Sequence, residues 1–155
     1  LLKNTALRTL DLGTKVEAPA AVLPATATAN IFTVAGGRVA ITGLVGVCTT
    51  VCSATATTLA LGTAPTVGTA NTTGLTSATA ITSKEAGTMV SLPPAVGSGL
   101  VVGTNAGVAA QLSGQGACVV SAGTITITTS ATNTGAFRWT LTYIPFDDGA
   151  SVAAS

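Results

Sequence analysis

The sequence predicts an all-β chain: a single β-sandwich or jelly-roll-like domain with an extended N-terminal arm. Three observations carry this. Short runs rich in Val, Ile and Thr recur along the chain, separated by Gly-rich turns. Two of the runs alternate with a period of two, Thr124–Thr128 and Phe137–Ile144. No segment shows the apolar 3,4-spacing beside charged residues that marks an amphipathic helix.

The first thirty residues stand apart. Leu1–Leu12 has a mixed apolar pattern without good caps, compatible with a short helix or an extended arm, and Gly13 would end a helix there. Pro19 and Pro24 bracket an Ala-rich stretch that reads as extended chain. Residues 1–30 are therefore expected to be an N-terminal arm, extended or partly helical, lying across a neighbouring subunit or a partner surface. A loose tail is the alternative. Leu7, Leu10, Leu12, Val16, Val22 and Leu23 are its candidate contact residues.

The β-sandwich domain is expected over 31–150. Ile31–Ala35 and Arg38–Thr42 are strand-like and flank Gly36-Gly37, a hairpin-turn signal. Gly43 and Gly46 suggest a bend or bulge before Val47–Val51. Ala56–Leu61 is a further strand. Residues 62–87 are weakly patterned and read as a long loop with short paired pieces. Short strands follow at Thr88–Leu92, Leu100–Val102, Val108–Leu112 and Ala117–Val120, making roughly eight to ten in all. In the last run Phe137, Trp139, Leu141 and Tyr143 share one face, and Arg138, Thr140, Thr142 and Ile144 share the other. The first four are the expected core anchors, with Trp139 the bulkiest.

Composition points to assembly. Only 7% of residues are charged, the net charge is +1 and the mean hydropathy is +0.65. An ordinary soluble domain carries about 25% charged residues. Much of this surface is expected to face other protein chains; a neutral surface of Thr, Ser, Asn and Gly is the other possibility. Six basic residues, scattered and nearly balanced by five acids, do not form a phosphate-binding cluster, so no nucleic-acid partner is expected. No apolar run approaches the roughly 20 residues of a membrane-spanning helix, and no membrane partner is expected.

Nor does the chain carry a recognisable catalytic set. It has no His, which removes His-based triads and the common metal sets. Asp147 and Asp148 are adjacent and read as a turn, not as a carboxylate pair. Lys84-Glu85 reads as a solvent-facing pair or an intersubunit ion pair. Arg38 and Arg138 can each reach a carboxylate across an interface or extend into water. The cysteines are Cys48, Cys52 and Cys118. In a regular strand Cys48 and Cys52 would lie about 13 Å apart, too far for a disulfide unless the chain bends. They read as small buried apolar groups. No catalytic residue, cofactor or metal is expected.

The run Ile31-Phe32-Thr33-Val34-Ala35-Gly36-Gly37-Arg38-Val39-Ala40-Ile41-Thr42-Gly43-Leu44-Val45-Gly46 resembles an opening segment of small structural proteins of tailed bacteriophages. Arg138-Trp139-Thr140-Leu141-Thr142-Tyr143-Ile144-Pro145-Phe146-Asp147-Asp148-Gly149-Ala150 is similar to the end of such proteins. Together the segments cover about a fifth of the chain. The resemblance implies a virion component, most plainly a capsid decoration (cement) protein on the outer capsid surface. Such a protein forms a homo-oligomer, typically a trimer, and clamps the major capsid protein or other shell subunits, often with a terminal arm. The sparse charge and the Ala/Thr monotony depart from many cement proteins. They leave open a tail, fibre or other phage head-surface role; a cell-surface polymer subunit and a carbohydrate-binding β-sandwich module are separate alternatives.

Overall fold

In the computed structural model, which describes residues 12–109, 115 and 117–155, the polar and apolar alternation resolves into two antiparallel sheets around one core. The strands are β1 (Thr14–Val22), β2 (Thr28–Ala35), β3 (Val39–Thr50), β4 (Thr58–Pro65), β5 (Thr79–Ala80), β6 (Met89–Ser91), β7 (Val101–Val102), β8 (Cys118–Val120), β9 (Gly123–Thr129), β10 (Ala136–Pro145) and β11 (Ser151–Ala154). The first sheet runs β1-β10-β3-β6-β7, with β8 also pairing β3. The second runs β11-β2-β9-β4-β5. Every element among the described residues is a β-strand, and the two-sheet arrangement is that of a β-sandwich.

β10 lies between β1 and β3 and supplies the bulk of the first sheet's inner face. Phe137, Trp139, Leu141 and Tyr143 are all buried, and the Phe137 and Trp139 rings stack with centroids 5.8 Å apart. Trp139 pairs with Gly46 on β3, so the two residues share a face. A Cβ on Gly46 would lie 2.6 Å from the indole, so glycine there makes room for the ring. The bulge expected near Gly43 and Gly46 sits beside the first only: the β3–β10 register shifts between Thr142 and Tyr143, opposite Gly43 and Ile41.

The expected boundaries move outward at both ends. Thr14–Val22 is not a separate arm but β1, an edge strand paired with β10. Its extended character was legible, but its partner strand lies more than a hundred residues away in sequence. Val16 and Ala18 pair opposite Leu141 and Trp139, and their inward side chains cover that flank of the core. Pro19 falls in the register shift between Ala18 and Ala21, where an edge strand tolerates a missing donor. At the other end, β11 completes the second sheet against β2, beyond residue 150.

Gly36-Gly37 does turn the chain, but it does not close a hairpin. β2 belongs to one sheet and β3 to the other, so the turn carries the chain across the sandwich. The 146–150 turn makes the reverse kind of crossing from β10 to β11 beside it; a Cβ on Gly36 would lie 2.4 Å from the Gly149 carbonyl oxygen. Both Gly36 and Gly149 have positive φ, the conformation these crossings need.

Candidate interaction face

Directly paired residues on neighbouring strands share a face, so the registers define the outer surface of the first sheet. One row crosses it as Glu17, Thr140, Val45, Ser91 and Val101. A second runs Arg138, Val47 and Met89. A third, nearer the crossings, runs Ile144, Ala40 and Val119. Val101, Val119 and Ile144 are exposed, at 47%, 49% and 44%; Val45, Val47, Met89, Ala40 and Thr140 are half-buried, and Ser91 is buried. The face is thus an apolar surface with a charged margin. Lys15 bridges Glu17 at 3.0 Å on the β1 side, and Arg138 stands next to them. Lys15, with some help from Arg138, holds the Glu17 carboxyl below its usual range.

The outer face of the second sheet is different in kind. Its rows are Thr28, Thr128 and Ala60; Asn30, Thr126 and Gly62; and Thr33, Thr124 and Ala64. Thr28 and Thr128 share a hydroxyl hydrogen bond of 2.7 Å. Residues 71 and 72 lie against Gly62, where an added Cβ would sit 2.2 Å from the Asn71 carbonyl oxygen. No residue of these rows is charged, and none has a large apolar side chain.

The two crossings meet in a polar clamp. The Arg38 guanidinium donates to both Asp147 carboxylate oxygens, at 2.9 and 2.7 Å, and the Arg38 backbone N–H adds a third bond at 2.8 Å. The guanidinium also lies 4.9 Å from the centre of the Phe146 ring, which is 56% exposed. Arg38 holds the Asp147 carboxyl down to about 2. Arg38 therefore pairs within the chain, an option the isolated sequence did not offer because 109 residues separate the partners. Lys84 and Glu85 also act within the chain: Lys84 Nζ donates to the Gly103 carbonyl at 3.1 Å, and Glu85 accepts from Ala106 N–H at 2.7 Å.

Of the candidate arm contacts, Leu7 and Leu10 lie outside the described residues. Leu23 is buried in the core, Leu12 and Val16 are half-buried, and Val22 is 69% exposed. A crevice of about 100 Å³ opens beside Val22, lined by Ala18, Pro19, Leu23, Ile127, Phe137 and Trp139 among others. Among the described residues no cluster of three or more His, Cys, Asp or Glu is placed to hold a metal ion. Comparison with protein-family models, curated proteins and solved structures finds no significant match.

Proposed function

We propose that this chain is a non-enzymatic structural subunit that works by binding other protein chains through the outer face of its first sheet. The observation behind this reading is the apolar surface of Val45, Val47, Met89, Val101, Ile144, Ala40 and Val119 beside the Lys15, Glu17 and Arg138 margin. An apolar centre with a charged rim is the usual anatomy of a protein interface. The segments that resemble tailed-phage structural proteins supply this face with residues 39–46 of β3 and 138–145 of β10. We therefore take the setting to be the outer surface of a virion capsid, with the subunit decorating the shell as a closed homo-oligomer, a trimer in preference, against the major capsid protein.

A glycan-binding role finds less support. Such sites use exposed aromatic platforms, and here Trp139 and Tyr143 are core residues while the exposed Phe146 ring is already paired with Arg38. The deciding experiment is the native mass by light scattering over a concentration series, for the wild type and for an Ile144→Lys/Val119→Lys variant. A closed oligomer that the double variant dissociates is the expected result. A monomer at every concentration would remove self-association from the proposal, and open-ended growth would make the chain a polymer subunit.

A further inference from the structure

Cys48 and Cys52 are much closer than a regular strand would leave them. β3 ends at Thr50, and the chain then curls around the turn formed by residues 84–88. Three backbone bonds fix the curl: Cys48 N–H to Thr88 carbonyl at 2.8 Å, Gly87 N–H to Cys48 carbonyl at 2.7 Å, and Cys52 N–H to Lys84 carbonyl at 2.8 Å. The spacing of about 13 Å expected for an unbroken strand collapses, and the two sulfurs stand 4.0 Å apart. Both side chains are free thiols and buried. A disulfide requires the sulfurs to close by about 2 Å, a movement of side chains toward each other.

We propose that Cys48 and Cys52 form a dithiol site that takes a low-molecular-weight disulfide, such as oxidised glutathione, and is converted by it to an intramolecular disulfide. One protein thiolate attacks a sulfur of the small disulfide; that S–S bond breaks and one small thiol leaves. The second protein thiolate attacks the protein sulfur of the resulting mixed disulfide. The Cys48–Cys52 bond forms and the second small thiol leaves. The protein loses two electrons and two protons, and the small disulfide gains both.

The surroundings favour the closed disulfide over a lasting adduct. A Cβ on Gly135 would lie 2.5 Å from Cys52 Sγ, so there is no room for a bulky group on that sulfur. The intramolecular bond adds no atom to the core. Cys118 does not compete: it pairs opposite Ile41 on β3, seven residues from Cys48 and so about 23 Å along the strand. Burial pushes the Cys48 thiol up, and burial with the neighbouring Cys48 pushes Cys52 up to about 12. Thiolate is scarce in the closed fold, so exchange proceeds during folding or through opening of this corner.

The test equilibrates the full chain with mixtures of reduced and oxidised glutathione, in dilute buffer and in concentrated guanidinium. Acid quenching, alkylation and peptide mapping by mass spectrometry then read each cysteine separately. The expected product is a Cys48–Cys52 peptide about two mass units lighter than the dithiol, with an equilibrium constant at least tenfold higher in buffer than in denaturant. By linkage, the oxidised protein must then unfold at a higher denaturant concentration than the reduced one. A constant no larger in buffer than in denaturant would overturn the proposal, as would accumulation of glutathione adducts on Cys48 or Cys52. A Cys52→Ser chain should yield no such light peptide; if it fails to fold, the wild-type comparison decides alone.

Discussion

β10 and the region around β4 are both buried, but different chemistry holds them. β10 contributes large rings, stacked on each other and on the bare backbone of Gly46. Around β4, small polar side chains stand in for missing strand partners. Thr76 Oγ1 accepts the Leu61 N–H at 2.8 Å inside the core. Asn133, also buried, accepts from the Ser53 and Gly135 N–H groups, each at 2.9 Å, and donates to Thr57 Oγ1 at 3.0 Å. Area burial can hold a strand that has neighbours on both sides. β4 pairs along its length with β9 but has only the short β5 on its other side, and a strand flanked so must satisfy the buried N–H groups of that side one by one.

The contrast is sharpest under truncation. Trp139→Ala should cost about 3–5 kcal/mol, because the ring fills space that neither Gly46 nor Ala18 can collapse into. Asn133→Ala removes far less apolar area, yet it strands the buried Gly135 N–H and the half-buried Ser53 N–H and should cost about 2–4 kcal/mol. Urea unfolding of both variants checks this. If the Asn133 variant loses less than about 0.5 kcal/mol, its bonds are readily replaced by water and the two regions do not differ in the way described.

A matched pair of threonines refines the point. Thr76→Val leaves the Leu61 N–H without a partner and should destabilise by about 1–3 kcal/mol. Thr126 is equally buried, but its hydroxyl has no partner among the described residues. Thr126→Val, similar in shape, should be neutral or stabilising by up to about 1 kcal/mol. Opposite signs for one chemical change would locate the effect in the hydrogen bond; equal signs would assign it to packing.

The same contrast governs what the sequence could tell. Phe137, Trp139, Leu141 and Tyr143 were legible as core because alternation over a long strand is a repeating signal. Residues 62–87 read only as loop with paired fragments, since the bonds of Thr76 and Asn71 follow no period. Residues 14–22 read as part of an arm in the sequence because their mate is β10, and pairing across that separation leaves no local trace. Gly36-Gly37 was legible as a turn but not as a crossing, since the same glycines serve both. The outer face of the first sheet is half visible in sequence, as Arg138, Thr140, Thr142 and Ile144. Its apolar half comes from β3, β6, β7 and β8, which only the registers bring alongside.

The smallest expected effect concerns the clamp between the two crossings, which belongs to neither region and joins the sheets at one end. Arg38 holds the Asp147 carboxyl at about 2, below its ordinary 3.8. A carboxyl depressed in the folded state contributes stability that is complete above its unfolded value and lost as pH falls toward its folded one. The contribution should therefore be full near neutrality and disappear between about pH 4 and pH 2. Both side chains are partly exposed, so solvent screening keeps it small. Asp147→Asn should lower the thermal midpoint near neutrality, and its gap from the wild type should close on acidification through that window. A gap that persists at the acid end would mean that Asn disturbs the packing of the turn against Gly37, and that the ion pair itself contributes little.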